Sequence, residues 1–319
     1  MVKLLVLIIA SILIGIAMYK PPLIVNFVES VVGQIRSLAL KHTYPKYFHN
    51  DPSDYHALPF EDVLKDTVAI LDKTASKWTL WSTYKNEKRP TYVLLINNYD
   101  PNKPSLIYHH GAGSTKPIRD FNIIYGEDFT NNYNIFIVHA QYHTTKNEYL
   151  NKSVDSFLHH QQTFAGSVLA YEEIIKYHRS LSKSPIIATG SSMGGIVSSL
   201  HAFYFGSADI YFPLVAYPNV GEIFLGNAYK TALADWDGKK SNESYLNSFT
   251  IKNIDPYLSK KVYPILGSED KIVPFVKSYE FWDKNGFTVK AFPYGHFTSG
   301  VARNEIRTYI REKLVEIRQ

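Results

Sequence analysis

The sequence predicts an α/β protein: a mostly parallel central sheet with helices on both faces, antiparallel strands at its start and a small cap-like insertion. Three observations carry this reading. From residue 78 onward, short apolar runs of strand length recur between turn-forming residues. Helical stretches separate several of these runs, which is the pattern of parallel strands joined by crossovers. The 319 residues are 45% hydrophobic and 14% aromatic, enough to bury a sizeable core, and they contain no repeat or low-complexity segment.

The chain starts with a different signal. After Met1-Val2-Lys3, the stretch Leu4 to Met18 ("LLVLIIASILIGIAM") carries no charge, and Tyr19-Lys20-Pro21-Pro22 closes it. A bilayer span needs about 20 apolar residues, a length this run reaches only by borrowing its flanks. No A-x-A-like cleavage site follows it. An uncleaved signal anchor over residues 1–20 is the favoured expectation, with a cleaved signal or a buried core helix as alternatives. The first two put the protein on a membrane or on an export route. Lys3 and the α-amine on one side face Lys20 and Arg36 on the other, so charge gives no orientation.

Residues 21–74 are expected to form a helical extension. Within it, Ile24, Val28, Val31, Ile35 and Leu38 recur at steps of three and four, which predicts a helix packed on the body of the protein or lying in a membrane interface. The α/β domain is expected over 75–319. "WTLWSTY" (78–84) and "TYVLLINN" (91–98) read as paired strands around the turn-like "KNEKRP". "SLIYHH" (105–110), "NIFIVHA" (134–140), "PIIATG" (185–190), "IYFPLVAY" (210–217), "VYPILG" (262–267) and "TVKAFPY" (288–294) read as buried strands. Helices are expected at 157–181, 193–205, 275–286 and 304–318. The polar stretch 218–261 breaks the rhythm and is expected to form a cap over the strand ends.

Composition removes several classes of function. With no cysteine, the chain has no disulfide, thiolate metal site or cysteine nucleophile. A net charge of +5 with no dense Lys/Arg run argues against a nucleic-acid partner. A dinucleotide fingerprint starting at Gly111 would need glycine at 116, where Lys116 stands, and no phosphate-binding G-x-x-x-x-G-K-[ST] occurs. His159 and His160 are neighbours on a predicted helix, point about 100° apart and are expected on its surface. His201 is expected to be a packed, hydrogen-bonded histidine.

The chemistry gathers at strand ends. "ATGSSMGGIVSSL" (188–200) lies where a predicted strand gives way to a helix. A nucleophile on such a turn needs small residues two positions to either side, because side chains there would strike the flanking strand and helix. Gly190 and Gly194 meet that demand for Ser192, whereas Thr189 and Met193 fail it for Ser191. A serine of ordinary acidity needs a base, and the base needs an acid to orient it. Asp270, in "ILGSEDKIVP" (265–274), and His296, in "FPYGHFTSG" (292–300), follow later strands in the order Ser, Asp, His. Glu269 is the alternative acid. An oxyanion hole is expected from the N–H groups of Met193, next after the serine, and Ala112, in the glycine-rich "LIYHHGAGSTKP" (106–117).

Together, His110-Gly111-Ala112-Gly113, Gly190-Ser191-Ser192-Met193-Gly194-Gly195, Gly267 to Asp270 with Val273-Pro274, and Gly295-His296 resemble the α/β-hydrolase superfamily over residues 75 to 319. The resemblance implies an acyl-enzyme mechanism on a small-molecule acyl substrate, with no metal or organic cofactor. Esterases, lipases, thioesterases and serine peptidases share this pattern. A carboxylic ester hydrolase is the favoured expectation. A peptidase, an acyltransferase and a non-catalytic binding protein at the membrane that keeps the fold are the alternatives.

Overall fold

The computed structural model describes residues 21–42, 47–51, 56–73, 77–226, 247–251 and 254–316. The expected anchor at 1–20 and the middle of the expected cap, 227–246, lie outside them. Among the described residues no helix is long and apolar enough to cross a membrane.

Nine strands form one sheet: β1 (Val68–Asp72), β2 (Lys77–Tyr84), β3 (Glu87–Leu95), β4 (Ser105–His109), β5 (Asn134–His139), β6 (Ile186–Ser191), β7 (Ile210–Leu214), β8 (Ile265–Gly267) and β9 (Lys290–Phe292). They lie in the order β1-β2-β3-β5-β4-β6-β7-β8-β9. The pairs β1–β2, β2–β3 and β3–β5 are antiparallel. Every pair from β5–β4 to β8–β9 is parallel. The predicted mixed, mostly parallel sheet is therefore the observed one. Two details differ. The β2–β3 turn is only Lys85-Asn86, both at positive φ (45° and 68°), the geometry a two-residue hairpin demands, so "EKRP" belongs to β3. β1 adds an edge strand inside the stretch expected to be helical.

The helices introduced along the chain are α1 (Pro21–His42), α2 (Phe60–Lys65), α3 (Pro117–Ile124), α4 (Glu127–Asn132), α5 (Phe157–Leu181), α6 (Met193–Tyr204), α7 (Val220–Gly226), α8 (Phe275–Lys284) and α9 (Arg303–Glu316). The central strands show why both faces need cover. On β4, Leu106 and Tyr108 join one core while Ile107 joins the other; on β5, Ile135 and Ile137 oppose Phe136 and Val138. A strand apolar on both sides must be buried on both sides. Phe164, Val168, Tyr171 and Ile174 of α5 and Val197 and Leu200 of α6 cover one face. Phe121 of α3, Phe129 of α4 and Ile306 and Ile310 of α9 cover the other.

The helix over 21–42 forms, but it is rotated from the predicted stripe. Ile24, Val25 and Glu29 are buried, and Ile35 is 61% exposed.

This topology sets the position of the site. From β4 the chain crosses to β5 on one side, then returns past β4 to β6 on the other. Loops leaving the carboxyl ends of β4 and β6 therefore diverge and leave a crevice between them, the usual ligand position in open α/β sheets.

Candidate active site

β6 ends at Ser191, and Ser192 sits between it and α6 with φ 56° and ψ −116°. Side chains larger than hydrogen rarely occupy this region, so the turn is strained. Its neighbours hold it there. The Ser192 N–H donates to the Leu214 carbonyl of β7 at 2.9 Å. A Cβ on Gly190 would collide with the backbone of Gly194, and a Cβ on Gly194 would collide with the His109 carbonyl of β4. The glycine spacing read from sequence thus follows from three backbones meeting at one point. Gly111, just past β4, packs against the same turn: a Cβ there would lie 3.5 Å from the Ser191 carbonyl and 3.6 Å from Ser192 Cβ.

The three residues predicted to act together are brought together. Ser192 Oγ lies 2.8 Å from His296 Nε2, and His296 Nδ1 lies 2.8 Å from Asp270 Oδ2. Asp270, not Glu269, faces the histidine. Its second oxygen, Oδ1, accepts the N–H groups of Ile272 and Val273, each at 2.8 Å. Both carboxylate oxygens are therefore satisfied, and the side chain is only 3% exposed. Met193 opens α6, so its N–H is one that no helical carbonyl can reach.

Ser192 stands where two cavities meet, and Ala112 lines both. A cleft of ≈ 220 Å³ is bounded by Gly111, Asp120, Ile123 and His296. A recess of ≈ 50 Å³ on the other side is apolar, walled by Ile196, Val220, Ile223, Phe224 and Val273. His160 also lines this recess and is 4% exposed, which corrects its expected surface position; only His159 stays partly exposed, bonded to Asp155 at 2.7 Å. The expectation for His201 holds: it is buried, with Tyr211 Oη at 3.0 Å and Glu172 at 3.3 Å.

A second histidine group, unread in the sequence, supports the loop after β4. The rings of His109 and His110 stack at 4.7 Å, and His139 and His143 lie 5.1 and 5.0 Å from His110. His110 Nδ1 donates to the Gly111 carbonyl at 2.7 Å, while its Nε2 accepts the Ala140 N–H at 3.1 Å. That pair of bonds requires the neutral ring. Burial pushes His110 well below the ordinary value of 6.5, and lowers His109 and His160 to about 3 and His143 to about 4.

These shifts set a direction for stability. The groups are neutral when folded and gain protons near pH 6.5 once unfolded, so their contribution is full above 6.5 and is lost as pH falls towards 4 and 3. Stability is therefore expected to fall progressively over that window. Melting temperature should drop steeply between pH 7 and 4.5; a flat profile would contradict the neutral, buried assignment.

The sheet order, the strained serine turn after a parallel strand and the crevice beside it define the α/β-hydrolase fold. No family model matches the chain, and no curated protein matches it in sequence. Solved structures do match, among them esterases and an acylaminoacyl peptidase. Acetyl xylan esterase 1 from Thermoanaerobacterium sp. aligns with a TM-score of 0.51 at 14% identity, over 76% of this chain and 90% of that one. Est1E from Butyrivibrio proteoclasticus, with ferulic acid bound, aligns with a TM-score of 0.50 at 17% identity, over 74% of this chain and 99% of its own. At such identities the likeness is one of fold.

Proposed function

We propose that the protein is a serine hydrolase that cleaves carboxylic ester bonds through an acyl-enzyme. Ser192 Oγ attacks the ester carbonyl carbon, and His296 Nε2 takes the hydroxyl proton as the bond forms. Asp270 holds the His296 ring in the required tautomer and stabilises the imidazolium. The N–H groups of Met193 and Ala112 receive the negative charge that develops on the carbonyl oxygen. Collapse expels the alcohol, which leaves with the proton from His296. Water then attacks the acyl carbon while losing a proton to His296; the bond to Ser192 Oγ breaks, His296 returns that proton to the oxygen, and the acid leaves. The observation that carries this reading is the 2.8 Å bond between Ser192 and His296 at the junction of two cavities. The small apolar recess suits a short acyl group, and the wider, more polar cleft suits the alcohol side of a small ester. The uncharged run Leu4 to Met18 supports a tether to a membrane.

The test is a fluorophosphonate probe with a panel of p-nitrophenyl esters. The native chain should be labelled and should prefer acetate and butyrate to octanoate, while Ser192→Ala should lose both labelling and turnover. Undiminished labelling of Ser192→Ala would sink the assignment. Faster turnover of aminoacyl p-nitroanilides would make it a peptidase, and accumulation of transfer products with added alcohols an acyltransferase.

A further inference from the structure

Helix α1 precedes the sheet, yet one of its side chains reaches the turn that bears His296. Glu29 is fully buried. Its Oε1 accepts three hydrogen bonds: from the N–H of Phe297 at 2.8 Å, the N–H of Thr298 at 2.8 Å and the Thr298 hydroxyl at 2.9 Å. The same hydroxyl accepts the Gly295 N–H at 2.8 Å. One oxygen, donated from 268 residues away, thus gathers groups from both sides of His296. The fit is close, since a Cβ on Gly295 would collide with the Glu29 side chain.

Helix docking alone does not call for this residue. An apolar side chain would bury itself at less cost than a carboxylate. Among the described residues no cation pairs with Glu29, and Oε2 has no hydrogen-bond partner. Burial, with a smaller push from the nearby Asp270 charge, raises its pKa above the ordinary value, against the opposing effect of the Thr298 and Phe297 bonds. The site therefore tolerates an unfavourable group. What that group supplies is a single acceptor where several donors of the turn converge.

We propose that Glu29 is a positioning residue for His296: through α1 it closes the 295–298 turn and holds the imidazole at its distance from Ser192. Asp270 orients the ring, and Glu29 holds the backbone that carries the ring. The proposal rests on the reading of Ser192, His296 and Asp270 as the reacting groups.

The experiment uses the full chain with Glu29→Ala, Glu29→Gln and Thr298→Val. Displacing a catalytic group by an ångström costs about 100-fold. Glu29→Ala should therefore lower kcat by roughly 10- to 100-fold with KM within about twofold. The rate of fluorophosphonate labelling should fall by the same factor while its end point stays at one label per chain. Glu29→Gln keeps an acceptor oxygen and should recover most of kcat. Thr298→Val leaves α1 untouched, reads the same linkage if Glu29→Ala fails to fold, and should combine with Glu29→Gln less than additively. Unchanged kcat in Glu29→Ala alongside a lowered melting temperature would reduce the contact to a structural one and overturn the proposal. A Gln variant as slow as Ala would also overturn it. Failure of the hydrolase reading is distinguishable, because the native chain itself would then neither label nor turn over ester, and the positioning role would fall with it.

Discussion

Asp270→Asn should lower kcat on a p-nitrophenyl ester by about 10⁴-fold, with KM nearly unchanged. The local hydrogen bonds dictate why. The N–H groups of Ile272 and Val273 both point at Oδ1, so an asparagine must keep its carbonyl oxygen there. Its amide NH₂ then faces His296 Nδ1, where Asp270 now accepts. A donor in that place drives the ring into the tautomer with hydrogen on Nε2, which can no longer accept the proton of Ser192. The change is nearly isosteric, so folding should survive it. Glu269→Gln is the control: Glu269 makes no bond to His296, and its variant should stay within a few-fold of the native rate. Steady-state kinetics with melting curves would decide the matter. Equal losses in the two variants, or near-native activity in Asp270→Asn, would refute this account of the acid.

Among the described glycines, Gly194→Ala brings the new carbon closest to a backbone atom and should be severely destabilising. The added carbon would strike the carbonyl of His109 and approach that of His110 at 3.0 Å. Both obstacles are backbone, so no rotamer change relieves the clash, and β4 or α6 must move. Overpacking costs about 1–3 kcal/mol where side chains can adjust, and about 4–5 kcal/mol is a reasonable expectation where they cannot. The shift would also pull Ser192 from its strained turn, so labelling should vanish in whatever folds. Gly33→Ala offers the contrast. A Cβ there meets nothing within 4 Å, and alanine should stabilise α1 by about 0.5–1 kcal/mol. Urea titrations would compare the two. Similar midpoints would show that the three-backbone contact is looser than described.

The sequence was readable where one strong local constraint acts. A strand buried on both faces has to be apolar over most of its length, as β4, β5 and β7 are, and a serine where three backbones meet has to be framed by Gly190 and Gly194. It was less readable where constraint is weak or distant. β1 leaves Val68 62% and Ile70 66% exposed, so its burial alternation carries no outward mark in an edge strand. α3 and α4 are too short to show a helical period. The apolar stripe of α1 misled because the buried side of that helix includes a carboxylate. Nothing near Glu29 in sequence announces a partner; only the folded turn at 295–298 gives that charge a reason. His110 was noted for its place beside Gly111, but its role under the loop depends on the Ala140 N–H, which the sheet brings from another strand.

The recess beside Ser192 takes Val220, Ile223 and Phe224 from α7, a helix that contributes nothing to the Ser192–His296–Asp270 chain. The opposite flank, where β4 and α6 touch through Gly194, leaves no room for variation. Innovation and fragility thus fall on separate stretches of the chain. On the proposed acyl-enzyme reading, a descendant accepting bulkier acyl groups can arise by pruning side chains along α7, with Ser192, His296 and Asp270 left as they are. A directed-evolution library confined to 220–224 would sample new substrates while sparing most of its members from inactivation.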